Sequence, residues 1–426
     1  MAEWKRVKLG DVVSLVIDHR GKTPTKLGGD WSDQGYRALS AKSVKTRQLV
    51  NLDAIRYVGE DLYHRWMKEE IQRGDILVTS EAPYGEVFYW NSDEKIVLSQ
   101  RLFGLRVKTG VDSAYVAQYM TTSSFRKEMD ARATGTTVFG LRQPELLDCA
   151  IELPPLPTQR KIAAVLGALD DKIENNRKIC ANLEAQAQAL FKSWFVDFEP
   201  FGGKMPNGWK MGKLGEIADI TMGQSPDGKS LNENGDGVTF FQGRAEFGDR
   251  YPTKRLTTTE PKRMAKSGDV LLSVRAPVGD LNIALEDCCI GRGLAAIRSK
   301  TKYANQDVAR PPRPCGKGEG ALATSVVASE RSCQSFIYCL LKSMKSQFDL
   351  YEGAGTIFGS INKDSLHGLS CIVPDDKALL EFESKVSSFD DLYHERELES
   401  RALAATRDAL LPKLMSGEID VEKVEV

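Results

Sequence analysis

The chain contains itself twice, and that restricts its fold more than any single motif does. "GDILVTSEAPYGE" (74–86) returns as "GDVLLSVRAPVGD" (268–280), an offset of 194 residues. Three further echoes keep the same order: "WKRVKLGDV" (4–12) with "WKMGKLGEI" (209–217), "RLFGLR" (101–106) with "GLAAIR" (293–298), and "TVFG" (137–140) with "TIFG" (356–359). Their offsets are 205, 192 and 219 residues. A period this long belongs to a duplicated domain and not to a solenoid, whose units run to about 50 residues. The step from 192 to 219 puts 27 extra residues in the second copy. The stretch 303–332, rich in Pro, Gly, Ala and Ser and without an apolar period, is where they belong, and it predicts a long disordered loop.

Within each copy the strand signals are short and β-branched, bounded by Gly, Pro and Asp: "DILVTS", "EVFYW" and "IVLS", then "DVLLSV" and "LNIAL". Helical stretches at 114–130 and 335–348 are mixed with them, so each copy predicts an α+β domain.

Each copy is followed by a different pattern. Ile162, Leu166, Leu169, Ile173, Asn176, Cys180, Leu183, Ala187 and Leu190 alternate steps of four and three, an a/d seam held over four heptads. Phe382, Val386, Phe389, Tyr393, Arg396, Ser400, Leu403, Arg407, Leu410 and Leu414 repeat that spacing with more polar members. A 3.5-residue period leaves each helix one narrow stripe that needs a partner. The economical partner is the other helix, lying antiparallel, with Asn176 fixing register. The expected architecture is therefore α+β with pseudo-twofold internal duplication. Domain 1 covers 1–155, a central coiled-coil helix 156–200, domain 2 residues 205–374, and a second coiled-coil helix 375–426. The two domains are expected to be held apart by the paired helices.

Composition excludes several alternatives. The longest apolar run, "IAAVLGAL" (162–169), falls far short of the ~20 residues that span a bilayer. The opening residues lack a signal-peptide apolar core, and the eight cysteines form no CxxC pair. The expectation is a cytoplasmic protein with reduced thiols and no metal. The net charge of −1 conceals an asymmetry. Residues 1–150 carry 22 Lys+Arg against 20 Asp+Glu and residues 208–302 carry 15 against 12, whereas 375–426 carries 7 against 14.

At this point the chain resembles the specificity subunit of type I restriction–modification systems. The resemblance rests on 153–203 ("LPPLPTQRKIAAVLGALDDKIENNRKICANLEAQAQALFKSWFVDFEPFGG"), "ITMGQSPDGKS" (220–230), "GDVLLSVRAPVGDLNIA" (268–284) and "GAGTIFGSINKDSL" (353–366). It implies two target-recognition domains, each reading half of a split double-stranded DNA site. It also implies helices that set the gap and dock two methyltransferase subunits, and a complex completed by restriction/motor subunits. S-adenosylmethionine, ATP and Mg²⁺ would sit on those partners, with no cofactor and no catalytic residue on this chain.

For a DNA reader, major-groove base edges call for Arg, Lys, Gln or Asn, and phosphates for Lys, Arg, Ser or Thr. In the first domain these are Arg37, Lys42, Lys45, Arg47, Arg101, Thr136, Thr137 and Arg142. In the second they are Gln242, Arg244, Arg263, Arg275, Arg292, Thr356, Ser360 and Asn362.

Two motifs point elsewhere. "GQSPDGKS" (223–230) fits the phosphate-loop pattern but is followed by turn-rich "LNENGDG" where a helix should begin. "PDDKALLEFESK" (374–385) imitates a nuclease motif, yet its carboxylates fall in the helical period. No Asn/Asp-Pro-Pro-Tyr motif occurs, and His19, His64, His367 and His394 lack triad or metal spacing. A protein-binding tandem scaffold and a fused methyltransferase–nuclease stay as rival readings.

Overall fold

The computed structural model describes residues 4–135, 138–303, 331–353 and 359–423. It divides into two compact units, one built from 1–177 with 397–426 and the other from 178–396. Each unit therefore contains one α+β copy together with part of each long helix.

The first unit contains a four-stranded antiparallel sheet in the order Val13–Asp18, Leu102–Val107, Ile76–Thr79, Val87–Tyr89. Beside it, Tyr36–Leu39 pairs antiparallel with Arg56–Val58 and parallel with Ile96–Leu98. The second unit repeats the plan: Ala218–Met222, Leu294–Ser299, Val270–Ser273, Leu281–Ile283, with Val238–Phe241 parallel to Cys288–Ile290. The echoed segments occupy matching places. Lys5–Lys8 pairs with Ala150–Leu153, and Lys210–Lys213 with Ser370–Val373.

The doubled "GD" has a local cause. Gly74 and Gly268 adopt φ of +94° and +86°, a left-handed turn that glycine enters without steric cost. The following aspartate is buried in each unit and accepts the backbone N–H three residues back, from Gln72 at 2.8 Å and Lys266 at 2.7 Å. Each also meets an arginine on the adjacent strand: Arg106 Nη2 is 2.8 Å from Asp75, and Arg298 Nε is 2.6 Å from Asp269. A buried carboxylate needs such partners, because an unpaired one would cost several kcal/mol of lost hydration, roughly.

The two long helices run Leu156–Phe195 and Asp376–Met415, 40 residues each. All twelve named seam positions, Ile162, Leu166, Leu169, Ile173, Asn176, Leu183, Leu190, Phe382, Val386, Phe389, Leu403 and Leu410, are buried or half-buried. Within the first unit Lys161 pairs with Glu422, Asp170 with Arg407 and Lys172 with Glu399, so partner numbers fall as residue numbers rise. The packing is antiparallel. Asn176 is fully buried and donates Nδ2–H to Glu399 Oε2 at 3.0 Å. Within the second unit Cys180 meets Tyr393, and Phe191 packs on Phe382, in the same sense.

The end of the central helix adds more than a seam. Phe191, Trp194 and Phe195 enter the second unit's core, where Phe195 lies 4.9 Å from Phe336, 5.2 Å from Phe382 and 5.5 Å from Trp209 by ring centres. Ile162 and Leu166 join Leu411, Leu414 and Met415 in the first unit's core. The helices are thus structural members of both domain cores.

Three expectations are adjusted by the structure. The central helix stops at Phe195, five residues before the expected boundary, and the second long helix ends at Met415 with a 3-10 turn at Val421–Lys423. The last echo aligns with an offset of 220, because Leu141 N–H donates to Ser80 and Ile361 N–H to Val274, its counterpart. The insertion expected at 303–332 lies, from 304 to 330, outside the described residues; at its rims Lys302–Tyr303 pairs with Arg331–Ser332. Among the described residues, no helix is long and apolar enough to cross a membrane.

Candidate nucleic-acid interface

In the second unit, four of the sequence candidates converge. Gln242, Arg244, Arg275 and Arg292 line one open cleft of about 360 Å³, together with Ser225, Gly243, Ser273, Ala276 and Gly293. The cleft lies where strands end. Val238–Phe241 delivers Gln242 and Arg244, Val270–Ser273 delivers Arg275, and the turn after Cys288–Ile290 delivers Arg292. Glycine lets these segments approach closely. A Cβ at Gly291 would lie 2.8 Å from the Gln242 carbonyl oxygen, and one at Gly293 2.9 Å from that same oxygen. Any larger residue would push the Gln242 loop away.

The positions are fixed while the side chains stay exposed. Ser273 donates its hydroxyl to the carbonyls of Arg275 (2.9 Å) and Pro277 (2.7 Å), which pins the turn. Arg275 also forms a backbone bridge with Ser360. Arg292 N–H donates to Ser225 Oγ at 3.4 Å. Arg244 pairs with Asp280. Arg275 and Arg292 have no acidic partner among the described residues. Two uncompensated guanidiniums and an amide in one cleft are suited to acceptors: phosphate oxygens, or guanine O6 and N7. Ser225, which lay inside the phosphate-loop-like stretch, was not among the sequence candidates. The rest of that stretch folds as a 3-10 turn, Gly228–Ser230, followed by strand Leu231–Asn232. Ser230 Oγ donates inward to Asp227 O, so no helix presents its amides there.

The first unit distributes its candidates differently. Arg101 Nε lies 3.1 Å from Glu81, with both side chains nearly half exposed. Lys45 lies 3.3 Å from Glu86. Burial alone would raise the Glu86 carboxyl, but the Thr46 hydroxyl and N–H, with Lys45, hold it below its usual range. Arg37 pairs with Glu94 through Nε at 2.6 Å. Lys42 and Arg142 are exposed without an acidic partner among the described residues. Exposed ion pairs contribute about 0–1 kcal/mol, so Arg101, Lys45 and Arg244 can exchange a carboxylate for a phosphate at little cost.

Arg47 departs from the group. Its guanidinium donates to Gln118 Oε1 (2.8 Å) and Thr121 Oγ1 (2.5 Å) and faces Asp170 of the central helix at 3.4 Å. Gln118 and Arg407 bind that same Asp170 at 2.6 and 2.7 Å. Arg47 therefore welds its loop to the helix and is not offered to a ligand. Asn362 is likewise occupied, capping Lys363–His367 by accepting Ser365 N–H at 2.8 Å. Arg263 is exposed but lies outside the cleft, and Ser360 flanks it. Thr136, Thr137 and Thr356 lie outside the described residues. Of the nuclease-like carboxylates, Asp375 precedes the long helix and accepts Ala378 N–H at 2.8 Å, while Asp376, Glu381 and Glu383 sit on it, with Glu383 buried against Ser335 and Phe336.

Comparison with known proteins gives this geometry a context. The model of the family described as "Type I restriction modification DNA specificity domain" matches residues 1–185. The MjaIX type I restriction enzyme specificity subunit of Methanocaldococcus jannaschii is 26% identical over 99% of this chain and 95% of its own length. Along nearly its whole length the chain is thus similar to type I restriction enzyme specificity subunits. The HindI specificity subunit of Haemophilus influenzae is 22% identical, covering 83% of this chain and 88% of its own. Among solved structures, the S subunit from M. genitalium covers 97% of this chain and 96% of its own with a TM-score of 0.56 at 15% identity, a likeness of fold.

Proposed function

We propose that this chain is the DNA-reading subunit of a type I restriction–modification complex. Each unit recognises half of a bipartite double-stranded site, and the complex positions methyltransferase and restriction/motor subunits that carry out the chemistry. The observation that carries this reading is the cleft of Gln242, Arg244, Arg275 and Arg292, built at strand ends whose topology the first unit repeats. Strand-end loops on a rigid sheet present side chains to a groove at defined spacing, which sequence discrimination requires. In this reading the paired helices, 40 residues each, are the elements that set the gap between half-sites. S-adenosylmethionine would be held by two methyltransferase partners, and ATP with Mg²⁺ by the motor subunits.

Co-expression with the methyltransferase subunits, followed by mapping of modified adenines, tests the proposal. The expected result is a split motif of which one half changes when 1–155 is exchanged and the other when 205–374 is exchanged. Modification without sequence preference would overturn it, as would a motif indifferent to both exchanges.

A further inference from the structure

The two units share a topology but reverse charge at one strand-end position, which in the second unit lines the cleft. Their strands give the correspondence residue by residue: Leu102 faces Thr79 in the first unit as Leu294 faces Ser273 in the second. Two residues beyond Thr79 and Ser273 stand Glu81 and Arg275. Each forms the same kind of isolated antiparallel bridge, Glu81 with Gly140 and Arg275 with Ser360. Each is followed by Ala-Pro. Glu81 is therefore the counterpart of Arg275. Extending the match gives Lys42 for Arg244 and Gln100 for Arg292, since Leu39 lies opposite Leu98 as Phe241 lies opposite Ile290.

An acidic side chain at this point of a DNA-facing surface needs a reason, because it repels phosphate. Its setting supplies one. Glu81 Oε1 is held 3.1 Å from Arg101 Nε, while nearly half of the side chain remains open to solvent. Arg101 has φ of +65°, a left-handed conformation rare for a residue with a Cβ. Such strain tends to collect at functional sites. The result is an oriented carboxylate with a second oxygen still able to accept. A carboxylate accepts from cytosine N4 or adenine N6 in the major groove and rejects the guanine O6 and thymine O4 acceptors; an arginine does the reverse at guanine.

We infer that Glu81 and Arg275 are paired specificity-determining residues. The first unit's half-site then carries a base with an exocyclic amine, adenine or cytosine, against Glu81, and the second unit's half-site carries a guanine against Arg275. The inference rests on the DNA-reading function proposed above. Arg101 serves as the positioning residue for Glu81.

The test uses the chain assembled with its methyltransferase subunits, comparing wild type with Glu81→Gln, Glu81→Ala, Arg101→Ala and Arg275→Ala by adenine-modification mapping and duplex binding. In the expected result, Glu81→Ala lowers discrimination on the order of 10–100-fold at one base pair, in the half that follows exchange of 1–155. Arg275→Ala does the same at one guanine in the other half. Glu81→Gln keeps an acceptor for Arg101 but adds an N–H₂ donor, so guanine or thymine becomes tolerated at that pair. Whether the wild-type base there is adenine or cytosine identifies the amine. An unchanged motif in Glu81→Ala, or equal weakening on every sequence in both Glu81→Ala and Arg101→Ala, overturns the inference while leaving the bipartite reading intact. A wild-type complex without a split motif would instead remove the reading beneath it.

Discussion

Arg250 ties the loop that carries the cleft residues to the second long helix, and its removal should be among the costliest single changes in the second unit. Its side chain is only 2% exposed. The guanidinium lies between the rings of Tyr338 (4.4 Å) and Tyr393 (4.7 Å) and pairs with Asp390. Asp390 also accepts the Ser335 hydroxyl at 2.6 Å, and buried Glu383 accepts that same hydroxyl at 2.9 Å. Arg250→Met keeps the length and apolar bulk of the side chain but leaves the part-buried Asp390 carboxylate without its cation. Breaking a buried pair from one side costs roughly 3–5 kcal/mol, and the lost ring contacts belong to that same total, at about 1 kcal/mol. For a unit near 200 residues, about 2–4 °C accompanies each kcal/mol. The second unit's transition in scanning calorimetry should therefore drop by about 10 °C. Arg250→Met with Asp390→Leu removes both charges, and the double variant should recover at least about half of that loss. A drop under about 2 °C in the single variant, or a double variant equal to the sum of two singles, would refute the argument that charge compensation holds this site.

Glu383 gives the same unit a pH dependence. Burial, then the nearby Asp390 charge, pushes its carboxyl up to about 7 against the bonds from Ser335 and Phe336. The folded state thus holds a proton that the unfolded state has lost between about pH 4.5 and 7, so stability falls as pH rises through that window, by about 3 kcal/mol in full. Glu383→Gln should flatten melting temperature against pH from 5 to 7 and exceed wild type at pH 8; an unchanged slope would assign the effect elsewhere. Arg47→Ala should lower the first unit's stability by about 1–3 kcal/mol while leaving the modified motif unaltered. Arg292→Ala should do the opposite, with stability within about 0.5 kcal/mol and a shallower salt dependence of duplex binding.

The contrast between Arg47 and Arg292 shows what a sequence can and cannot convey here. Both are arginines in turns beside strands, and residue type alone puts both on a DNA surface. They part company through their side-chain contacts: the Arg47 guanidinium meets Asp170 and Gln118, whereas the Arg292 guanidinium has no acidic partner among the described residues. The architecture was legible because burial imposes a period on the sequence. The four-three spacing from Ile162 to Leu190 exists because one stripe of the helix is covered, and the doubled "GD" exists because a left-handed turn and a buried carboxylate are needed twice. Ion pairing imposes no period. Arg37 with Glu94 and Arg244 with Asp280 are joined only when the sheets assemble.

Glu81 was missed for a different reason. A search for groups that meet a polyanion collects cations and passes over the carboxylate among them. The signal was nevertheless in the duplication, since aligning "TSEAPYGE" with "SVRAPVGD" sets Glu81 directly against Arg275. A repeated scaffold shows which positions the fold requires, namely those the two copies share. Where the scaffold is the same and the charge is opposite, the fold is indifferent to the residue, so the difference is free to be set by the ligand. By that logic Lys42 against Arg244 is a change of degree, while Gln100 against Arg292 and Glu81 against Arg275 are changes of kind. The two half-sites should therefore differ most at the base pairs these last two positions face.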